Sequence, residues 1–346
     1  MSVLVTGTEG YIGSLLAPYL MKRGYEVLGV DTGFYKAGWL YNGIGRTALT
    51  LNTDIRRLGA DDLAGVEAVV HLAELSNDPV GQLAPEITYE INHQGSVHLA
   101  TLAKAAGISR FVYTSSCSVY GVATESSVDE ESPVNPQTAY ADCKTLVERD
   151  VGAMADDGFS PTFLRNATAF GASPRMRFDI VLNNLSGLAW TTGKITMESD
   201  GTPWRPFVHA LDICKAIACT LEAPAERVHG EVFNVGDDRS NYQVSEIAEL
   251  VASTFPGCEI NFAGNAGPDN RSYRVSFDKI QESLPDFSCD WTIERGAHQL
   301  RDLFSRIDLS EELFLSRYFT RLKQIQYLLQ TEQIDREFYW KPPCDS

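Results

Sequence analysis

Tyr140 and Lys144 stand four residues apart in Tyr140-Ala141-Asp142-Cys143-Lys144, so on a helix both project from one face. That arrangement suits proton transfer. A tyrosine hydroxyl has an ordinary pKa of about 10 and is a poor base near neutrality, but a neighbouring ammonium favours the phenolate and lowers that value. Upstream, Thr114-Ser115-Ser116-Cys117-Ser118-Val119-Tyr120-Gly121 follows directly on an apolar strand. Carboxyl ends of parallel strands are where α/β sheets place their chemistry. A serine there is able to hold a reacting oxygen for Tyr140. In isolation the first motif equally fits a surface Tyr/Lys pair, and the second a turn or cap serine.

Gly7-Thr8-Glu9-Gly10-Tyr11-Ile12-Gly13 sits between the first apolar strand and the first helical pattern, the context of a dinucleotide-binding turn. Gly7 permits the tight turn, Gly10 the close approach of a pyrophosphate, and Gly13 the packing of helix on strand. Asp31 ends the second strand, where a carboxylate accepts hydrogen bonds from the adenosine ribose and repels a 2′-phosphate, so NAD is favoured over NADP. Asp54-Ile55-Arg56 follows the third strand. Asp54 is placed there either to border the adenine or to cap a helix.

These residues need elements to hold them. The apolar runs Val3-Leu4-Val5, Val27-Leu28-Gly29-Val30, Ala68-Val69-Val70-His71-Leu72 and Phe111-Val112-Tyr113-Thr114 read as buried parallel strands. Helical spacing at Ile12 to Lys22 and Ile91 to Ala106 supplies the crossovers between them. The expected fold is α/β, a Rossmann doubly wound parallel sheet with a smaller α/β substrate-binding lobe. The expected division is an NAD-binding domain over 1–171, to which 206–235 returns, a lobe over 172–205 and 236–310, and a C-terminal helical extension over 311–346. Leu315, Tyr318, Leu322, Ile325 and Leu329 recur at helical spacing, describing one amphipathic helix from Glu311 to Gln330. It packs on its own domain or forms an oligomer contact.

The net charge of -17 opposes nucleic acid and anionic membranes as partners. A phosphate held locally by backbone N–H groups remains compatible with it. The seven cysteines are scattered and include no CxxC pair, so neither a disulfide framework nor a metal site is expected, and a reducing cytoplasm fits. No apolar run reaches the length of a membrane span, about 18 residues or more, and the first residues carry no basic region or cleavage site of an export signal.

Together these residues resemble the extended short-chain dehydrogenase/reductase family, specifically its NAD-dependent nucleotide-sugar epimerase/dehydratase group. The resemblance covers roughly residues 2 to 305. It is carried by Gly7/Gly10/Gly13, Asp31, Asp54-Ile55-Arg56, His71-Leu72-Ala73, Asn92, the Ser115 to Gly121 run, Tyr140/Lys144, Leu164-Arg165 and Arg205-Pro206-Phe207-Val208-His209 with Asp212. It implies that Tyr140 is the general base and acid, that Lys144 binds the nicotinamide ribose, and that Ser116 is the hydroxyl partner. It further implies NAD contacts from Tyr11, Ile12, Asp54, Ile55, Leu72 and Ala73, a substrate contact from Arg205, one from Arg271 in Asp269-Asn270-Arg271, and a homodimer.

Departures from the pattern narrow the chemistry. Members that expel water from the sugar carry Asp-Glu just after the catalytic Ser/Thr, supplying an acid and a base, where this chain has Cys117-Ser118. Oxidation followed by re-reduction gains from that change. The expected function is C4 epimerisation of a nucleotide-diphosphate sugar through a 4-keto intermediate. A ketoreductase or dehydrogenase, a dehydratase or a decarboxylase of the same family is the alternative, and a dinucleotide sensor without turnover is disfavoured by the intact Ser116, Tyr140 and Lys144. The usual Asn and Tyr of the strand-end pattern are Thr168 and Phe170, and Arg175 and Arg177 beyond them are candidates for bidentate binding of phosphate or carboxylate.

Overall fold

The computed structural model describes residues 1–122, 127–197, 201–262 and 271–342. Asp269, Asn270 and Cys344 lie outside the described residues. The strands are β1 (Ser2–Thr6), β2 (Glu26–Asp31), β3 (Leu49–Asn52), β4 (Ala68–His71), β5 (Arg110–Ser116), β6 (Ser160–Asn166), β7 (Thr168–Phe170), β8 (Lys194–Met197), β9 (Trp204–His209), β10 (Val232–Val235), β11 (Asn241–Gln243) and β12 (Glu259–Phe262). Seven of them form one sheet in the order β10-β6-β5-β4-β1-β2-β3, with every pairing parallel. The order reverses at β1. A doubly wound sheet opens its ligand crevice at that switch point, outside the carboxyl ends of the strands.

Alternation along the strands feeds two cores. Leu4, Val69, Phe111 and Phe163 face Leu99, Ala103, Val147 and Val151 of the helices Ser96–Ala105 and Ala139–Gly152. Val3, Val5, Val70 and Val112 face Leu16, Leu20, Ile213 and Ile217 of the helices Gly13–Lys22 and Ala210–Glu222. Because β-strand side chains alternate between faces, a strand covered on both sides must be apolar throughout. That is why β1 and β4 read as unbroken hydrophobic runs.

The stretch 206–235 divides between sheets. Pro206–His209 lies in β9, which pairs with β7 and β11, whereas β10 extends the edge of the large sheet beside β6. A two-stranded sheet of β8 and β12 completes the smaller layer.

The C-terminal stretch differs from the single helix expected over Glu311 to Gln330. It forms a helix Glu311–Leu315, a 3-10 turn Arg317–Phe319 and a second helix Arg321–Gln330. Ser316 and Thr320 are extended, which breaks the helical hydrogen bonding. Phe319 turns into the core while Leu315 is half exposed, so the two parts bury different faces. Ile325 and Leu328 dock against Phe34, Leu75, Val80 and Ile91, in the N-terminal part of the same chain. Among the described residues no helix is long and apolar enough to cross a membrane.

At the end of β4, His71 is fully buried between Thr6 Oγ1 at 2.6 Å and Ser96 Oγ at 2.8 Å, tying β1 to the helix Ser96–Ala105. Burial, reinforced by the nearby Lys144 charge, pushes its pKa down to about 3, so it is neutral in the folded chain. Unfolded histidine titrates near about 6.5. The unfolded chain therefore takes up the proton first, and stability is lost as pH falls from that value. Between about pH 6 and 4 the unfolding free energy of the wild type should fall more steeply than that of His71→Gln, by up to about 1.4 kcal/mol per pH unit. Urea titrations at fixed pH measure both slopes, and parallel slopes would assign the acid sensitivity to other groups.

Candidate active site

A cavity of about 470 Å³ opens at the carboxyl ends of β1, β2, β4 and β5. Gly7, Gly10, Tyr11, Ile12, Gly13, Asp31, Asp54, Ile55, Leu72, Ala73, Ser116, Tyr140, Lys144, Arg205 and Arg271 all line it. Residues far apart in sequence thus share one wall.

The glycine turn follows from close backbone packing. Gly7 has φ +76°, and a Cβ there would stand 3.0 Å from the Ala73 nitrogen. A Cβ on Gly13 would stand 2.0 Å from the Gly7 carbonyl oxygen, so no larger residue starts this helix without moving the turn. Thr6 Oγ1 accepts hydrogen bonds from the Leu72 and Ala73 N–H groups at 3.2 and 3.1 Å, which fixes the second edge of the turn.

Asp31 accepts from the Glu9 and Gly33 N–H groups at 2.9 and 2.8 Å. Burial nevertheless holds its pKa above the usual carboxylate value, with those two donors working in the opposite sense. Asp54 takes the capping role and also faces the cavity. Its carboxylate caps the 3-10 turn Ile55–Arg57 and pairs with Arg56 at 2.8 Å while also lining the cavity.

Tyr140 and Lys144 lie on the helix Ala139–Gly152, capped by Thr138, whose hydroxyl accepts from the Ala141 N–H at 3.2 Å. Thr138 Oγ1 donates in turn to Asp78, which pairs with Arg271 at 2.9 Å. Lys144 Nζ stands 5.4 Å from the centre of the Tyr140 ring and is almost wholly buried. A buried ammonium requires a counter-charge. It finds Glu74, 2.5 Å away and equally buried, and it also donates to the Thr114 carbonyl. Glu74 takes a further hydrogen bond from the Tyr113 hydroxyl.

Glu74 escaped the sequence reading. Its only signal was a carboxylate following His71-Leu72-Ala73, just beyond an apolar strand. Its presence changes the electrostatics anticipated for Tyr140, whose pKa lies above the ordinary phenol value: burial raises it, Lys144 opposes, and Glu74 and Asp78 raise it further. Lys144 itself loses stability as a cation through burial, yet the Glu74 carboxylate more than restores it and holds its pKa above normal. The lysine charge is shared between Glu74 and Tyr140.

Ser116 ends β5, and its Oγ accepts from the Ser118 N–H at 3.1 Å. Cys117 points away from the cavity, its Sγ donating to the Arg165 carbonyl oxygen at 3.1 Å in the core. The other arginines part company. Arg175 lies outside the cavity lining: it pairs with Glu9, donates to the Lys36 carbonyl at 2.6 Å and to that of Gly38, and lies over the Trp39 ring. Its guanidinium braces the glycine turn against the 35–39 loop. Arg205 donates to the Trp204 carbonyl at 2.8 Å and to that of Arg271. Arg177 and Arg321 both line the cavity, and Arg321 comes from the C-terminal stretch expected to pack on its own domain or to form an oligomer contact.

The residues fit a dinucleotide. The glycine turn leaves backbone open to the cavity, and the Tyr35 hydroxyl, Ser118 Oγ and Asn166 Oδ1 are buried on its lining without a hydrogen-bond partner among the described residues. Buried polar atoms of that kind call for a ligand or water. Among the described residues no group of His, Cys, Asp and Glu is arranged to hold a metal ion.

Comparison with known proteins agrees with this geometry. Residues 3–236 match the NAD dependent epimerase/dehydratase family. The chain is 28% identical to the UDP-glucose 4-epimerase of Bacillus subtilis (strain 168) over 275 residues, 72% of this chain and 80% of that protein. It resembles the solved structure of MoeE5 in complex with UDP-glucuronic acid and NAD at TM-score 0.76 and 27% identity, covering 89% of this chain and all of that one. The fold is shared also by the UDP-glucose 4-epimerase of Thermotoga maritima, at TM-score 0.79 and 23% identity, covering 89% of this chain and 100% of the other. With more than half its length matched and the glycine turn, Tyr140 and Lys144 gathered on one cavity, the chain belongs to the NAD dependent epimerase/dehydratase family.

Proposed function

We propose that the protein is an NAD-dependent nucleotide-sugar epimerase that inverts C4 of a nucleotide-diphosphate sugar through a 4-keto form. The observation that carries this reading is the placing of Ser116, Tyr140 and Lys144 on one cavity with the glycine turn, while Cys117 faces the core. No carboxylate stands at position 117 to remove a second proton from the sugar, which favours oxidation and re-reduction over loss of water. When bound, NAD supplies the acceptor and donor of hydride.

The chain's residues supply the rest. Gly7, Gly10 and Gly13 admit the cofactor, with Tyr11, Ile12, Asp31, Asp54, Ile55, Leu72 and Ala73 around it. Ser116 holds the C4 oxygen. Tyr140 Oη takes the C4 hydroxyl proton as the sugar is oxidised to the ketone, and gives it back once the sugar has presented its other face. Lys144 binds the nicotinamide ribose and stabilises the Tyr140 phenolate. Arg205 contacts the substrate diphosphate, and Arg271 lies near the substrate nucleotide. A homodimer through the helices carrying the Tyr–Lys pair and a cytoplasmic setting belong to the same proposal, the latter supported by six described cysteines that are all free thiols.

NMR of the product formed from UDP-, dTDP-, CDP- or GDP-sugars should show C4 inverted without net change of NADH. Release of carbon dioxide would select decarboxylation instead, and stoichiometric NADH formation a dehydrogenase. Tyr140→Phe should lower kcat by about 10²–10⁴ while cofactor binding persists. Glu74→Gln removes a carboxylate that raises the Tyr140 pKa, so the acid limb of the kcat/KM profile should move down by roughly one pH unit. A limb that stays in place or moves upward would show that Glu74 does not govern Tyr140.

A further inference from the structure

Two side chains beside Ser116 are buried with nothing to bond. Ser118 and Asn166 are 7% and 8% exposed and line the cavity, yet Ser118 Oγ and Asn166 Oδ1 have no hydrogen-bond partner among the described residues. Both stand where Ser116 stands. Asn166 is the register partner of Ser116 across β5 and β6, and the Ser118 N–H donates to Ser116 Oγ at 3.1 Å. Asn166 Nδ2 donates to the Ser115 carbonyl at 3.3 Å. Since a carbonyl only accepts, the amide nitrogen is held there and the oxygen is left over. Cys117, between the two serines, is turned into the core and takes no part.

A polar atom buried without a partner costs free energy that a ligand group of matching kind recovers. Asn166 Oδ1 only accepts, whereas Ser118 Oγ donates and accepts. One hydroxyl satisfies both, accepting from Ser118 and donating to Asn166. A carboxylate does not. It has no hydrogen for the Asn166 oxygen, and a buried charge needs a counter-charge. Lys144, Arg177 and Arg271 already face Glu74, Asp179 and Asp78.

The proposed reaction decides which hydroxyl. Its C4 oxygen lies on Ser116, so the groups that reach the neighbouring pair belong to the carbons flanking C4. When the 4-keto sugar presents its other face, C4 stays in place while C3 and C5 exchange sides. We infer that Ser118 and Asn166 hold the hydroxyl on whichever flank faces them, that of C3 in one orientation and that of C6 in the other. The substrate class is thereby a neutral hexose carrying both hydroxyls. A hexuronate or a 6-deoxyhexose leaves Asn166 Oδ1 unpaired in one of the two orientations. The inference rests on the epimerase reading and narrows its sugar.

Steady-state kinetics on UDP-glucose, UDP-6-deoxyglucose and UDP-glucuronate test it, with the same sugars on dTDP, CDP or GDP where that nucleotide is preferred. Relative to the hexose, kcat/KM for C4 inversion should be at least about tenfold lower on the 6-deoxyhexose and about 100-fold lower on the uronate. Ser118→Ala removes an oxygen that bonds nothing in the fold, and should lower kcat/KM on the hexose about tenfold. Asn166→Leu should do the same while leaving the 6-deoxyhexose little changed. The NAD released from each purified variant should equal that of the wild type. A uronate or 6-deoxyhexose inverted as fast as the hexose would overturn the inference. So would variants that slow hexose and 6-deoxyhexose equally, which marks a structural role, or variants that lose NAD, which would give the pair to the cofactor's carboxamide. Should Asn166→Leu fail to fold by circular dichroism, Ser118→Ala carries the same comparison. Turnover without C4 inversion would remove the epimerase reading and this inference with it, whereas inversion with the uronate preferred would overturn the inference alone.

Discussion

The ammonium of Lys144 is nearly sealed from water, and the arrangement of three elements follows from how it is neutralised. It sits on the helix Ala139–Gly152, its counter-charge Glu74 follows β4, and the carbonyl it donates to belongs to Thr114 in β5. Removing one partner of a buried pair typically costs about 3–5 kcal/mol, because the other is left charged and dry. The pair therefore sets the helix against the sheet at a fixed height. Tyr140, one turn earlier, inherits its position over the cavity from that constraint. The Thr138–Asp78–Arg271 chain fixes the same helix at its first turn, so the tyrosine is held from both directions.

Much of this was legible in the sequence, for physical reasons. Parallel strands buried on both faces show as apolar runs, and the glycine turn shows because its backbone contacts tolerate no side chain. Tyr140 and Lys144 betray themselves by helical spacing. Glu74 did not, since nothing in local spacing reveals that a carboxylate beyond β4 meets a lysine from another helix. The bracing by Arg175 was illegible for a related reason: an arginine that braces backbone carbonyls and one that binds phosphate have the same local sequence. The break at Ser316 to Thr320 was invisible because apolar spacing there continues through it, while tertiary packing turns Phe319 inward and leaves Leu315 outside.

Charge in the cavity is paired. The chain as a whole carries -17, and the lining sets Lys144, Arg177, Arg205, Arg271 and Arg321 among Asp31, Asp54, Glu74, Asp78 and Asp179. Each has a protein acceptor or ring beside it, so the positive side chains are held in fixed orientations. Preorganised charge of this kind acts on bound anions without the cost of reorienting water. A negative exterior does not oppose that, since exposed charges beyond about 10 Å are largely screened at physiological salt.

The docking of residues 317–340 onto residues 32–57 also has a consequence in time. A ribosome releases the strands of the glycine turn first and adds roughly 5–20 residues per second. β1 to β3 are therefore complete long before Arg321, Tyr339 and Trp340 exist, and the contacts that these three make with Tyr35, Arg56 and Thr32 form only in a later stage of folding.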